Sequence, residues 1–382
     1  MSKIDWDSLG FDAYRTRTVV KSHFKDGAWS PVESTETFSF TLDPFAQVNH
    51  YAISCFEGLK AFTQKDGKVV IFRPEENARR MKRTADYLGM PCPSEEMFIK
   101  MCEDCIKGNL EFLPPYGHKA SLYLRPLLFG VHPQMQLVPY PEAVFAVMCA
   151  PAGSYYGEHL RTFSAVIPGD FDRAAPHGSG SYKVGANYAA TFRPYKMAHD
   201  QGYTELLFLN SGTREFVDEF GSSNFFGIKD NKYVTPLSDS VLPSITNKSL
   251  QTVAEDLGMT VEKRPIPLDE LDTFEEAGAC GTAVVITPMS HIDIKPVLGA
   301  PEVSRTFTFR PDGTVGPACN ALYKRLTGSS SARPRTSTAG VTKWIYRIEY
   351  VRSCDYRRRP RRLLRRGACR CGGTLRRAVR EE

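Results

Sequence analysis

Residues 177–192 form the stretch HGSGSYKVGANYAATF. One lysine, Lys183, lies among glycines, small residues and tyrosines. Glycines allow backbone to come close to a bound group, and burial can keep a lone amine partly neutral, so that it attacks an aldehyde. The glycine spacing fits neither the dinucleotide fingerprint nor a phosphate loop. Taken alone, the stretch fits a surface-loop lysine better than a covalent one, so the later motifs decide.

Those later motifs supply what a lysine-bound pyridoxal phosphate needs, which is an acid at the ring nitrogen and donors for the phosphate. Glu219, in EFVDEFGSSNFF, offers the acid. SITNKS (244–249) places backbone amides at a helix start, which favours an anion. Gly281-Thr282 adds a hydroxyl and an amide, and Arg80 could make a bidentate phosphate contact. Each motif is weak alone, but their order and completeness favour this cofactor.

Length and patterning predict an α+β fold. The 382 residues are 42% hydrophobic, which suits two domains of ordinary size. Lys-Asp-Gly between alternating runs predicts hairpins within 16–42 and 60–73. Helical spacing predicts helices over 75–90, about 95–112, about 186–201 and 244–258. We predict a small N-terminal domain (1–150), a linker (151–160), a large cofactor-binding domain (161–328) and a poorly ordered, Arg-rich tail (329–382).

Charge is concentrated in the last residues of the chain. Residues 351–382 carry a net charge of +9, whereas the whole chain carries +6, so the other 350 residues carry −3. The tail could bind nucleic acid, but an appendage without that role is the better interpretation. No apolar run of 18 residues and no secretion signal are present, so we expect a cytoplasmic protein without a membrane partner. The ten cysteines are expected to be thiols, and no spacing indicates a metal site.

The sequence resembles the branched-chain aminotransferases, which belong to the fold-type IV class of pyridoxal phosphate enzymes. The resemblance covers about residues 16–328 and follows the order of both predicted domains. It implies two α/β domains with mixed or antiparallel sheets and the cofactor in the cleft between them. The matching stretches are HYAISCFEGLKAF (50–62), FRPEENARRM (72–81), YLRPLLFG (123–130), SYKVGANYAAT (181–191), VDEFGSSNFF (217–226), LPSITNKS (242–249) and CGTAVVITP (280–288).

The resemblance also implies a role for each cofactor-binding residue. Lys183 would hold pyridoxal phosphate as a Schiff base and move a proton at the substrate α-carbon. Glu219 would keep the ring nitrogen protonated, and Tyr188 would bond the ring oxygen. The phosphate would be held by Arg80, the amides of Ile245 and Thr246, and Thr282.

On the substrate side, the resemblance implies an apolar pocket with one cation at its rim. Such a pocket would take an aliphatic side chain and then that of glutamate. The implied reaction moves the amino group of L-leucine, L-isoleucine or L-valine to 2-oxoglutarate with ping-pong kinetics, in a homodimer or larger assembly. The implied substrate residues are Tyr51, Phe56, Tyr123, Arg125, Thr282 and Ala283.

Some positions depart from the family pattern. Asn247 stands where the family often has arginine, and residues 284–287 lack the CxxC of the mammalian enzymes. Residues 329–340 and 348–382 do not look like the family, which suggests a shifted or extended reading frame. D-amino-acid aminotransferases and aminodeoxychorismate lyases, which share the lysine and the glutamate, remain the alternatives.

Overall fold

The computed structural model describes residues 4–139, 142–153, 160–331 and 345–348, with no side chains for 329–331. The helices are α1 (Gln47–Tyr51), α2 (Pro74–Leu88), α3 (Glu95–Gly108), α4 (Gly185–Ala189), α5 (Phe192–Asp200), α6 (Ile245–Asp256) and α7 (Pro317–Ser331). The first strands are β1 (Val19–Lys25), β2 (Ala28–Trp29), β3 (Glu33–Thr35), β4 (Ser54–Phe56), β5 (Leu59–Thr63), β6 (Val69–Phe72), β7 (Ser121–Gly130) and β8 (Ala143–Ala152). The later strands are β9 (Phe163–Pro168), β10 (Glu205–Leu209), β11 (Val217–Phe220), β12 (Asn224–Lys229), β13 (Lys232–Pro236), β14 (Thr260–Arg264), β15 (Glu276–Gly281), β16 (Val285–Lys295), β17 (Arg305–Thr308) and β18 (Ile345–Ile348).

The first sheet is antiparallel and is built from two predicted hairpins and two long strands. Its order in the described residues is β18-β6-β5-β7-β8-β1-β2, with β3 on β1 and β4 on β7. At the β1–β2 turn, Asp26 and Gly27 have φ of 52° and 83°, the left-handed conformation that a two-residue hairpin needs. The predicted hairpins are therefore confirmed, and β7 with its ten residues forms the centre of this sheet.

The second sheet closes on itself. Its order in the described residues is β11-β10-β9-β16-β15-β12-β13-β14, and β11 also pairs with β12. Strands β11, β10, β9, β16, β15 and β12 thus form a ring that removes exposed edges. Leu207, Phe225 and Met289 are among the buried side chains of its core. The predicted α+β class is confirmed, and VDEFGSSNFFGIKDNKYVTP forms the three strands β11, β12 and β13.

Helices α2 and α3 pack on each other and α3 also packs on the first sheet, because their apolar residues recur at helical spacing. Helix α2 begins at Pro74, whose fixed φ suits a first turn, and ends at Leu88, where Gly89 caps it in the left-handed conformation. Helix α3 ends at Gly108, four residues before the predicted end, and a short 3₁₀ turn follows.

Helix α6 starts where the sequence predicts it. The Ser244 hydroxyl caps it by accepting a bond of 3.2 Å from the Asn247 amide. The single helix predicted over 186–201 is instead divided into α4 and α5 at Ala190–Thr191. Helix α7 covers strands of the second sheet and continues to Ser331, three residues beyond the predicted limit of the large domain.

One segment of the predicted tail belongs to the first sheet. Residues Ile345–Ile348 pair antiparallel with Phe72–Val69, because the edge of β6 offers unpaired backbone groups. This differs from the predicted lack of order over the whole of 329–382. The Arg-rich segment and residues 154–159 of the predicted linker lie outside the described residues, so the domain limits stay a prediction. In the described part of the chain, no helix combines the length and apolar character needed to cross a bilayer.

Candidate active site

Lys183 lies in a loop that is tied to the first sheet and its helix. Its amide donates to the Thr84 hydroxyl on α2 at 3.1 Å. Its carbonyl accepts a bond of 3.3 Å from the Phe56 amide, and Val184 forms a bridge with Cys55. The loop of the second half of the chain is thus held by β4 and α2, which fixes where the lysine side chain starts.

The Lys183 side chain is surrounded by aromatic groups. Its ammonium donates to the Tyr188 hydroxyl at 2.7 Å. The same nitrogen lies 4.8 Å from the ring centroid of Phe56 and 5.1 Å from that of Tyr188. The two rings are 4.9 Å apart. Aromatic faces stabilise a nearby cation without offering it a counter-charge, so the amine is oriented but has no carboxylate partner among its described contacts.

Arg125 and Tyr123 continue this cluster along β7. The Arg125 guanidinium donates to the Tyr123 hydroxyl at 3.2 Å and lies 4.6 Å above the Phe56 ring centroid. Its Nε is buried and has no hydrogen-bond partner among the described residues. Residues two apart on a strand lie on one face, which explains why YLRP places the phenol and the cation together.

Glu219 is buried on β11 and is bonded at both of its oxygens. One oxygen forms an ion pair with Arg173 at 2.9 Å and accepts a hydrogen bond from the Leu242 amide at 3.0 Å, and the other accepts one from Asn224 at 2.6 Å. Burial raises the pKa of Glu219, while the charge of Arg173 and the two other donors act in the opposite direction. The site thus holds a desolvated acid beside one buried cation.

Arg80 makes a bidentate ion pair with Glu57. The two bonds measure 2.7 and 2.6 Å, and a third guanidinium nitrogen donates to the Pro243 carbonyl at 3.0 Å. Asn77 donates to the same carboxylate at 2.7 Å. Burial alone would lower the pKa of Arg80, but the Glu57 charge raises it. Arg80 therefore stays charged and connects α2 to the segment that leads into α6.

The start of α6 faces the turn after β15. Ile245 and Thr246 are its first two residues, and their amides have no intrahelical carbonyl to bond. Both residues line one cavity together with Thr282 and Gly58. The helix start, a hydroxyl and a glycine thus converge, and this arrangement suits a phosphate group.

Among the described residues, no contact joins Lys183 to Glu219. Tyr182, which precedes Lys183 in the sequence, and Asn224, which bonds Glu219, both line a cleft of about 920 Å³, whereas neither Lys183 nor Glu219 lines it. Arg80 lines this cleft as well.

Tyr51 lies apart from the other predicted substrate residues. Its hydroxyl donates to the Met135 carbonyl at 2.5 Å, and it lines a separate cavity of about 210 Å³ with Leu137. The reason is local, because Tyr51 ends α1 and Ala52 reverses the chain with φ of 52°. Within one chain, Tyr51 therefore lies apart from the cluster of Phe56, Tyr123 and Arg125, and its role on the substrate side stays a prediction.

Sequence reasoning missed three residues that the structure places in the site. Glu57 follows Phe56 directly, and a buried carboxylate beside a predicted phosphate arginine could have been suspected. Arg173, in GDFDRAAP, gives no pattern that distinguishes it from a surface arginine. Lys60 donates to the carbonyl of Ala283 at 2.8 Å, across the two halves of the described chain.

The site residues fit pyridoxal phosphate. Besides Arg125, the hydroxyl of Ser223 is buried without a hydrogen-bond partner among the described residues. Ser223 lies against Gly281, where an added Cβ would be 3.4 Å from the Cβ of the serine. Buried polar atoms normally have hydrogen-bond partners. The unpartnered atoms of Arg125 and Ser223, together with the free amides at the start of α6, therefore indicate that a polar ligand binds in this region.

Comparisons with known proteins agree with this chemistry. Residues 54–292 match the family described as Amino-transferase class IV. The branched-chain-amino-acid aminotransferase of Haemophilus influenzae is 42% identical over 335 residues, which are 86% of this chain and 95% of that protein. The enzyme of the same name from Helicobacter pylori is 44% identical over 76% of this chain and 87% of its own.

Solved structures agree on the fold. The branched-chain amino acid aminotransferase of Escherichia coli superposes with a TM-score of 0.69 at 23% identity, covering 86% of this chain and 98% of that one. The pyridoxal phosphate form of the Thermobaculum terrenum enzyme gives 0.69 at 21% identity over 88% of this chain and all of its own. At such low identities the structural similarity shows the fold alone, whereas the two more similar sequences show the family. The chain therefore belongs to the class IV aminotransferases and, among them, to the branched-chain-amino-acid aminotransferases.

Proposed function

We propose that this chain transfers the amino group of L-leucine, L-isoleucine or L-valine to 2-oxoglutarate, with pyridoxal phosphate as its cofactor. The observation that carries the proposal is the Lys183 amine, 2.7 Å from the Tyr188 hydroxyl and against the face of Phe56. An amine oriented by a phenol and walled by apolar rings suits covalent attachment of an aldehyde and an aliphatic substrate.

The residues proposed to hold the cofactor come from both halves of the described chain. When bound, pyridoxal phosphate supplies an electron sink that stabilises negative charge at the substrate α-carbon. The amides that open α6 and the Thr282 hydroxyl suit its phosphate. The proposed residues are Lys183, Tyr188, Glu219, Arg80, Ile245, Thr246 and Thr282.

Lys183 and Glu219 divide the proton chemistry. The Lys183 amine is the group that would take the proton from the substrate α-carbon and return it, and Tyr188 orients its lone pair. The Glu219 carboxylate would hold a proton at the ring nitrogen. Arg173 supports this role, because a cation 2.9 Å away favours the ionised acid despite its burial.

The substrate side combines an apolar wall with a cation. Phe56 suits the aliphatic side chain, and Arg125, whose Nε lacks a described partner, suits a carboxylate. Tyr123 bonds this arginine, and the turn at Thr282–Ala283 would contact the α-carboxylate. One pocket of this kind takes leucine and then glutamate, so the two half-reactions should show ping-pong kinetics.

We further propose a homodimer that acts in the cytoplasm. Large apolar side chains are exposed beside Tyr51, with Met135 71%, Leu137 83% and Val138 48% accessible. Patches of this kind are typical of interfaces. Leu137→Asp should shift the mass measured by light scattering from dimer to monomer, and Leu257→Asp, at an exposed leucine that follows α6, should not. Fractionation of cells expressing the full chain tests the location.

A panel of L- and D-amino acids with 2-oxoglutarate tests the reaction. Glutamate should form with leucine, isoleucine and valine, and borohydride should lock the visible absorbance onto the chain. Activity with D-amino acids, or pyruvate release from aminodeoxychorismate, would favour the alternatives. Salt-sensitive nucleic-acid binding that is lost on truncation at residue 350 would report the tail, which lies outside the described residues.

A further inference from the structure

Lys60 reaches from the first sheet to a turn of the second. Along β5, Leu59, Ala61 and Thr63 are buried on one face, while Lys60 and Phe62 are only half-buried on the other. The Lys60 ammonium donates to the Ala283 carbonyl at 2.8 Å, although the two residues are 223 positions apart. A bond from a charged donor is stronger than one between neutral groups, so this contact can hold a turn in place.

The turn that accepts this bond is strained. The β15–β16 ladder ends at the pair Gly281 and Val285, so residues 282–284 lie outside it. Val285 has φ of 66°, the left-handed conformation that a β-branched residue rarely takes. Such a conformation is unfavourable and persists only where neighbouring contacts enforce it. The Lys60 bond lies two residues from this strained position and is one such contact.

Lys60 is also close to the proposed site. Lys60, Thr246 and Thr282 line one cavity, and in the β5–β7 register Lys60 lies opposite Tyr123. No described carboxylate lies within ion-pair distance of it, and burial lowers the pKa of its ammonium to about 8. Its described polar contact is the Ala283 carbonyl in the turn.

We propose that Lys60 is a positioning residue, which fixes the 281–285 turn through the Ala283 carbonyl and so presents the turn's backbone to the substrate α-carboxylate. The inference rests on the proposed function only for the identity of that carboxylate. The contact between Lys60 and the turn needs neither cofactor nor substrate.

The test compares Lys60→Met, which keeps the length of the side chain, with Lys60→Arg, which keeps the charge. Lys68→Met is the matched control, because Lys68 is an exposed lysine of the same hairpin and pairs with Asp66. In the cofactor-free protein, amide hydrogen exchange within 281–285 should become about tenfold faster in Lys60→Met and less so in Lys60→Arg. Lys68→Met should exchange like the wild type, and unchanged exchange in Lys60→Met would overturn the proposal.

With cofactor bound, the dissociation constant of 4-methylvaleric acid and the KM for leucine should rise about tenfold in Lys60→Met, with kcat changed much less. Lys60→Arg should restore part of the affinity. A fall in kcat at constant KM would contradict a positioning role. Lys60→Gln replaces Lys60→Met if thermal melting shows that the latter is unfolded. If the wild type shows no borohydride-locked absorbance, the proposed function fails, while the exchange result still decides the role of Lys60.

Discussion

The ammonium of Lys183 donates to the hydroxyl of Tyr188, five residues later on α4, at 2.7 Å. This pair gives the amine an orientation before any ligand binds. The ammonium lies over the face of the Phe56 ring. Among the described residues, no carboxylate pairs with it and would stabilise its protonated form. The geometry makes Lys183 the group on which the proposed chemistry depends.

Replacing Lys183 by alanine should lower the turnover of leucine with 2-oxoglutarate by about 10²–10⁴-fold or more, because the proton acceptor is removed. Glutamate formation measures the rate. Lys196→Ala is the control, since Lys196 pairs with Asp200 on the surface. Turnover of Lys183→Ala close to that of the wild type would refute its role.

The pair of Glu57 and Arg80 should be strongly coupled. Breaking a buried ion pair leaves one charge uncompensated, at a cost of about 3–5 kcal/mol. Glu57→Gln and Arg80→Met should each lower the free energy of unfolding in urea by amounts of this order, and the double variant by much less than their sum. Arg79→Met, at an exposed arginine paired with Glu95, should cost about 1 kcal/mol or less. Additive effects at Glu57 and Arg80 would rule out the coupling.

Arg173→Gln should move the acidic limb of the kcat/KM profile to higher pH by about one to two units. Burial raises the pKa of Glu219, and Arg173 opposes this rise, so removing the cation raises the pKa further. The acid then stays protonated to a higher pH. Burial also raises the pKa of the neighbouring Asp218, which faces the same arginine, so Asp218→Asn must be measured in parallel.

In that experiment, Arg173→Lys should give a smaller displacement of the limb, since it keeps the charge. Arg193→Gln, at an exposed arginine, should leave the profile where it is. If Arg173→Gln has the same pH dependence of kcat/KM as the wild type, the role given to Arg173 is wrong.

Glu270 should stabilise the fold at neutral pH but not in strong acid. Its bonds to Arg264 lower the pKa of this carboxyl to about 2, and Lys229 adds to the effect although burial opposes it. Since the folded pKa is below the unfolded one, the contribution is complete above about pH 4.5 and is lost as pH falls towards 2.

Urea unfolding over a pH series measures this contribution. At pH 7, Glu270→Gln should be less stable than the wild type by on the order of 1–2 kcal/mol, and the difference should shrink between pH 4.5 and 2. Glu302→Gln, at an exposed glutamate, is the control. A difference that does not depend on pH would exclude the ion pair as its source.

Much of the site could be predicted from the sequence because its groups lie in short local motifs. Tyr188 lies five residues after Lys183, on the short helix that follows the loop of the lysine, and Tyr123 and Arg125 lie two positions apart on one face of β7. Ser244 caps α6, so the amides that follow it are free for a ligand. Such relationships depend only on the periods of helix and strand and on capping, which the order of the residues sets.

The partners of those groups follow from long-range packing. Arg173 pairs with Glu219 across 46 positions, and Lys60 bonds Ala283 across 223, because closure of the second sheet and its contact with the first bring distant loops together. The same packing also placed Tyr51 in a separate cavity and paired Ile345–Ile348 with β6. Contacts between residues far apart in sequence depend on how whole sheets pack, and no local pattern encodes this.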